Sequence, residues 1–158
     1  MEGRRGGTNE ALTLRRLRAF LLGLAAVLLV GTVAELLLAG HTESPVQLVP
    51  FLLCAMGLVA VGAVWARPGP RTVLALRVVM AAVALGSLVG VSQHLAGNLA
   101  FGQETQPGAG ATRLLVAALT GGNPLLAPGV LALAAAVASA ATYTAGDRPE
   151  GSPPATGA

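Results

Sequence analysis

The sequence predicts an all-α membrane protein: a bundle of four transmembrane helices with a short interfacial or re-entrant helix before the fourth span. Three observations support this fold class. The chain is 54% hydrophobic and 11% charged, with a mean hydropathy of +0.71, whereas a soluble domain carries about 25% charged residues. Its apolar residues form long runs. If these runs cross a membrane, nearly all of the arginines that flank them lie on the same side of that membrane.

The predicted spans are apolar runs separated by breaks rich in Pro and Gly, at about residues 19–40, 46–66, 72–96 and 124–144. At 1.5 Å per residue the first run covers about 33 Å, enough to cross a bilayer. It is too long for the apolar region of a secretory signal peptide, which is about 7–15 residues. We therefore interpret it as a retained transmembrane helix.

The polar segments give the remaining organisation. Residues 1–18, rich in Gly and Arg, are interpreted as a cytoplasmic N-terminal segment preceding a membrane domain at 19–144. Residues 145–158, rich in Pro, Gly, Ser and Thr, are predicted to be a disordered cytoplasmic tail. The apolar stretch at 111–120 is too short to span a bilayer, so we expect it to lie at the interface or to re-enter the membrane.

Local signals refine the helix ends. Ser44, Pro45 and Gln47 have the spacing of a capping box with proline at the first helical position. Asn98 is interpreted first as a cap for the third helix, because Asn tolerates the left-handed conformation that ends helices. Asn123, which precedes a proline, is interpreted as an N-cap. Residues 103–110 are predicted to be a loop.

The arginines predict the orientation. If both termini and the connection between the second and third spans are cytoplasmic, nine arginines lie inside and only Arg113 lies outside. The nine are Arg4, Arg5, Arg15, Arg16, Arg18, Arg67, Arg71, Arg77 and Arg148. We therefore expect a multi-pass protein of the plasma (inner) membrane with cytoplasmic N- and C-termini. The absence of lysine and the abundance of Ala, Gly and Val are typical of a GC-rich bacterial genome.

One helix face in the third span combines small and polar residues. Gly86, Gly90, His94 and Asn98 are spaced four apart, so they lie along one side of a helix. The glycines permit close helix packing, and the polar residues are expected to avoid lipid. In the first span Gly31 precedes Glu35 by one turn, and we predict the same packing role for Gly31.

The candidate site consists of His94, Glu35 and His41, all predicted near the extracytoplasmic surface. Two histidines and a carboxylate could bind a divalent transition metal, although no cofactor is firmly implied. Glu35 and His94 could equally share a proton. The structural alternatives are a Glu35 that bonds a neighbouring helix, a His94 that packs through a hydrogen bond, and a His41 in a solvated turn. A bis-histidine haem is disfavoured by the loop position of His41.

The sequence indicates no enzyme class and no nucleic-acid partner. It contains no HExxH, CxxC, nucleophile-elbow, phosphate-loop or dinucleotide motif, and its arginines flank apolar runs rather than forming a basic patch. We predict a small integral membrane protein with a metal- or proton-binding polar site. The alternative is a structural or accessory subunit of a larger membrane complex. Its partners would be the lipid bilayer and either a second copy or another membrane protein.

Overall fold

Helices account for almost all regular structure in the computed structural model, which describes residues 2–122 and 125–143, with side chains from residue 9 onward. The five α-helices are α1 (Glu2–Leu38), α2 (Val49–Ala66), α3 (Pro70–Thr105), α4 (Ala111–Thr120) and α5 (Leu126–Ala140). A short 3-10 helix, Pro45–Leu48, leads into α2. No strand occurs in the described ranges, which confirms the all-α fold class.

Three helical segments are long and apolar enough to cross a membrane, in agreement with a membrane protein. They are Asn9–Leu38, Pro45–Ala66 and Pro70–Thr105. The fourth predicted span, 124–144, contains a helix of only 15 residues, so length alone does not establish a fourth crossing. The predicted tail at 145–158 and the predicted cap Asn123 lie outside the described residues.

Two helices extend beyond the apolar runs that predicted them. The first helix already begins at Glu2, so most of the segment 1–18 is helical; residues 9–18 contain Ala, Leu, Glu and Arg, which are good helix formers, and no proline. The third helix was expected to end near residue 96 but continues to Thr105. Near residue 96 the sequence changes from apolar to polar, but the helix continues. The first proline after that point is Pro107, and the helix ends just before it.

Four helices form a closed ring in the order α1, α2, α3, α5, in which each packs against the two beside it, while α4 packs on α3. The centre of the ring is filled by buried side chains, the largest of which are Leu29, Leu76, Met80, Val64 and Val83. Close approach of α1 and α2 depends on Gly57, where a Cβ atom would lie only 2.9 Å from a methyl carbon of Leu29.

Two arginines bind the C-terminal end of α5 at one end of the ring, called here the arginine end. Arg18 Nε donates to the carbonyl of Ala141 at 3.0 Å, and an Arg77 NH2 group donates to the carbonyl of Thr142 at 2.5 Å. These carbonyls follow the last helical turn and have no partner within the helix. Near the other end of α5, the Pro128 carbonyl accepts a hydrogen bond from the Ser87 hydroxyl of α3. The helices α5 and α3 are therefore antiparallel.

Candidate functional site

A cavity of about 540 Å³ opens at the end of the ring opposite the arginines, called here the histidine end. All four helices of the ring and the 3-10 helix contribute to its wall. The wall is mostly aliphatic, with side chains of Leu36, Val46, Val49, Leu53, Val89 and Leu131. Leu36, Ser87 and Leu131 of the wall are buried, whereas Val46, Val49 and Val89 are exposed. The cavity is therefore a cup that is lined by buried residues on its inner side and open on its outer side.

The three predicted site residues line this one cavity. Glu35, His41 and His94 are all half-buried. The rings of His41 and His94 are nearly parallel, with an 11° angle between their planes and 6.2 Å between their centroids. The Nδ1 atom of His94 is buried and has no hydrogen-bond partner within the described part of the chain. A polar group that is buried without a partner is costly, so a ligand that bonded to this atom after a small rotation of the His94 ring would be favoured.

The end of α1 brings His41 to the cavity. The chain reverses at Gly40, whose φ of +67° is favourable only for glycine. The Gly40 amide donates to the Leu37 carbonyl at 3.1 Å, and the His41 amide donates to the Leu36 carbonyl at 3.0 Å. This pair of bonds is the Schellman motif that commonly ends a helix. It turns His41 back over the last turn of α1, which carries Glu35, and the glycine after the apolar run was the sequence signal for it.

The 3-10 helix is held by Gln47, as the capping-box spacing predicted. Gln47 Oε1 accepts hydrogen bonds from the backbone amides of Glu43, at 2.8 Å, and Ser44, at 3.1 Å. These bonds fix the loop between α1 and α2 beside the cavity. Gln47 therefore has a structural role that is satisfied without any ligand.

Two of the three glycines predicted to pack closely do so, against different helices. A Cβ atom on Gly86 would collide with Leu53 of α2, and one on Gly90 would lie 3.2 Å from the Pro128 Cβ of α5. Gly31 differs, since it is exposed and a Cβ atom there would meet no described atom within 4 Å. The expectation that Gly31 packs closely is therefore not met within the described chain.

The arrangement does not form a complete metal site from protein ligands. Among the described residues, no group of three or more His, Cys, Asp or Glu side chains is close enough to hold a metal ion. The lone pair of an imidazole nitrogen lies in the ring plane, so the stacked rings of His41 and His94 do not direct their lone pairs to one point. A metal shared by both histidines would require one ring to rotate and other ligands to complete the coordination.

Asn98 has a different role from the predicted cap. It lies inside α3, is buried, and donates from Nδ2 to the carbonyl of Ala118 on α4 at 3.0 Å. This bond holds α4 against the last turns of α3. Close packing there also needs Gly121, because a Cβ atom would collide with the Asn98 side chain. The interpretation of Asn98 as a cap was wrong because it assumed that the helix ends near residue 96.

No protein-family model matches the chain, and no curated protein or solved structure is significantly similar to it. The class of protein is therefore defined by its fold, an all-α protein with three helices suited to a membrane.

Proposed function

We propose that this protein crosses the plasma membrane four times, with both termini in the cytoplasm, and binds an ion or small ligand in the cavity at its histidine end. The polar groups of this site are Glu35, His41 and His94. The observation that carries the proposal is that Glu35 and His41, from the end of α1, and His94, from α3, line one cavity. The buried Nδ1 atom of His94 also has no partner in the described chain.

The position of α5 supports a fourth crossing. Near its ends α5 is bonded to Ser87 and to Arg77 of α3. These two residues are separated by about 15 Å along the helix axis. The helix that carries them is long enough to span the membrane. With 15 residues, α5 is about 22 Å long and covers about three-quarters of a hydrocarbon core that is about 30 Å thick.

The charge distribution supports the proposed orientation. Arg18 and Arg77 lie at the arginine end, and the cytoplasmic ends of membrane helices carry an excess of arginine. Trp65 and Tyr143 are also near this end and are exposed, as expected for aromatic residues at a membrane interface. The cavity would then open to the extracytoplasmic side.

The geometry favours hydrogen bonding or proton exchange over metal binding as the chemistry of the site. Glu35 is half-buried and forms no ion pair with a described residue. Burying a lone carboxylate is costly, so we expect it to be bonded to water or to a ligand. Glu35 and His94 both line the cavity, so a ligand there would have both as hydrogen-bonding groups. A divalent transition metal remains the alternative ligand, for which His41 would have to change its ring orientation.

Two measurements on the full chain in lipid nanodiscs test the proposal. Infrared difference spectra between acidic and neutral pH should contain a carboxyl band that is absent in Glu35→Gln and displaced in His94→Ala. Calorimetric titration with Zn²⁺ should detect stoichiometric binding only if the metal alternative is correct. In that case His94→Ala should abolish the Zn²⁺ binding. Gln103→Ala changes an exposed residue outside the cavity and is the control. If His94→Ala changes neither measurement, the proposal is wrong.

A role as an accessory subunit is the second candidate, and two outward-facing glycines favour it. Gly31 of α1 and Gly62 of α2 are exposed, and Cβ atoms there would meet no described atom within 4 Å. In a membrane, small residues on an outer helix face allow another helix to approach closely. A second copy or another membrane protein would then cover these faces.

A further inference from the structure

We propose that the cavity at the histidine end binds a compact, branched apolar molecule that carries one hydroxyl group, such as an isoprenoid alcohol. The apolar body would occupy the aliphatic cup, and the hydroxyl would bond to His94 and Glu35. This inference deepens the proposed function and rests on it, because it names the class of ligand that the same polar groups would hold.

The cavity volume limits the size of the ligand. A dry cavity of about 150 Å³ in another protein accommodates benzene, which has six non-hydrogen atoms. By that ratio a cavity of about 540 Å³ has room for about 20 non-hydrogen atoms. Its volume is also within the range of about 300–1,000 Å³ that is typical of small-molecule sites. A small metabolite would leave most of the aliphatic wall without contacts.

The shape of the cavity favours a branched body over a single straight chain. On α3 the lining residues extend from Gly86 to His94, which is about 12 Å along the helix axis. A volume of about 540 Å³ over that depth corresponds to a cross-section of about 45 Å². One extended hydrocarbon chain, whose carbon atoms make contact at about 4 Å, would fill less than half of this cross-sectional area. A branched molecule fills a short, wide cup better.

The polar groups favour a neutral hydroxyl as the head group. His94 Nδ1 has no partner in the described chain, and a hydroxyl can donate to it or accept from it, whichever tautomer is present. The Glu35 carboxylate is an acceptor when ionised, so a hydroxyl can donate to it as well. A second carboxylate beside Glu35 would bring like charges together in a partly desolvated site, which disfavours a fatty acid as the ligand.

Photolabelling of the full chain in nanodiscs tests the inference. The probe is a compact, branched cyclic isoprenoid alcohol of about 15 carbons, within the size limit, with a diazirine on its apolar body. Two comparison probes change one feature each: a linear alcohol of equal carbon number and the corresponding branched carboxylic acid. Labelled peptides are identified by mass spectrometry. We expect saturable labelling near Leu53, Val89 and Leu131, with displacement by the unlabelled branched alcohol.

Matched variants separate the cavity from the lipid-facing surface. Ala127 is a buried lining residue, and Ala136 is exposed on the same helix. We expect Ala127→Leu to reduce saturable labelling about tenfold by filling the cavity, and Ala136→Leu to have no effect. His94→Leu keeps the side chain bulky but removes the hydrogen bond, so it should weaken binding about tenfold, with Gln103→Leu as the control.

The outcomes distinguish this inference from the proposed function. Labelling that does not saturate, or that is unchanged by Ala127→Leu, would overturn the inference. If the linear alcohol binds more strongly than the branched alcohol, the branched shape assigned to the ligand is wrong. If the acid binds more strongly, the neutral head group assigned to the ligand is wrong. If labelling fails while the infrared band still depends on His94, only the inference is lost. If the branched alcohol binds equally well to His94→Leu and Glu35→Gln, the assigned polar contacts and with them the inference fail, and the proposed function fails as well only if the infrared band is also independent of His94.

Discussion

The ring of His41 lies nearly parallel to the ring of His94, with their centroids 6.2 Å apart. His41 follows the end of α1, and His94 lies in the C-terminal half of α3. Since α1 and α3 are not neighbours in the ring of helices, this pair joins opposite sides of the cavity mouth. Its formation depends on the turn at Gly40, which reverses the chain at the end of α1.

The His41–His94 contact predicts coupled effects on stability. We expect His41→Ala and His94→Ala to lower the free energy of unfolding by less in combination than the sum of their separate effects, because either change removes the same contact. Paired aromatic rings contribute about 0.5–1.5 kcal/mol; for these half-buried rings we expect the lower part of that range. Thermal unfolding in detergent measures the effects, with His41→Ala combined with Gln103→Ala as an additive control. Additivity for the histidine pair would contradict the contact.

The bonds from Arg77 to the end of α5 predict that this arginine holds the C-terminal end of α5 in place. We expect Arg77→Ala to cost about 1 kcal/mol, less than the roughly 1.5–3 kcal/mol of buried charged hydrogen bonds, because the arginine is exposed. Amide hydrogen exchange near Thr142 should also accelerate. Arg71→Ala removes an exposed arginine near the start of the same helix and is the matched control. Equal exchange in both variants would show that the Arg77 bonds do not stabilise α5.

The closely packed Gly90 and the exposed Gly31 predict different effects on stability when each is replaced by leucine. A leucine at Gly90 would collide with Pro128, so Gly90→Leu should destabilise the bundle by about 1–3 kcal/mol, as is typical of overpacking. Gly31→Leu should leave the stability of the isolated chain unchanged, because open space surrounds that position. Thermal unfolding distinguishes them. Wild-type stability for Gly90→Leu would mean that its face does not meet α5.

The same outward glycines give a test of the accessory-subunit interpretation. If Gly31 and Gly62 meet a second copy, leucine at either position should shift the protein from a dimer to a monomer in light-scattering measurements in detergent. Ala55→Leu, on another exposed part of α2, is the control. An unchanged monomer in all variants would exclude self-association through these faces.

The proposed topology predicts an alternating pattern of reporter fusions. Fusions after Pro45, Pro70, Gly108 and the C-terminus should report outside, inside, outside and inside. The reason is that the arginine ends of all four spans would stay in the cytoplasm. Paired reporters, one active only in the cytoplasm and one only outside it, provide the internal control. A C-terminus outside the cytoplasm would rule out a fourth crossing.

The helical class and three of the apolar segments follow from the sequence because bilayer thickness and backbone hydrogen bonding impose them. A long apolar run without interruption is stable in lipid only as a helix or in a closed barrel. The capping role of Gln47 was also predictable, because it depends on neighbouring residues alone. The end of α3 was not predictable, since a helix that passes from an apolar to a polar region changes in composition without changing its backbone conformation.

Only the tertiary structure determines which residues distant in the sequence come into contact. The sequence placed Glu35, His41 and His94 at similar depths, but depth does not determine the direction of a side chain around its helix. Their position on one cavity depends on the order of helices in the ring and on the turn at Gly40. Gly31 faces open space within the described chain, because no neighbouring helix packs on that side of α1. The Asn98 prediction failed for a different reason, since α3 continues beyond residue 96. Identical local patterns face a neighbouring helix or open space according to how the helices pack, and packing is a property of the whole chain.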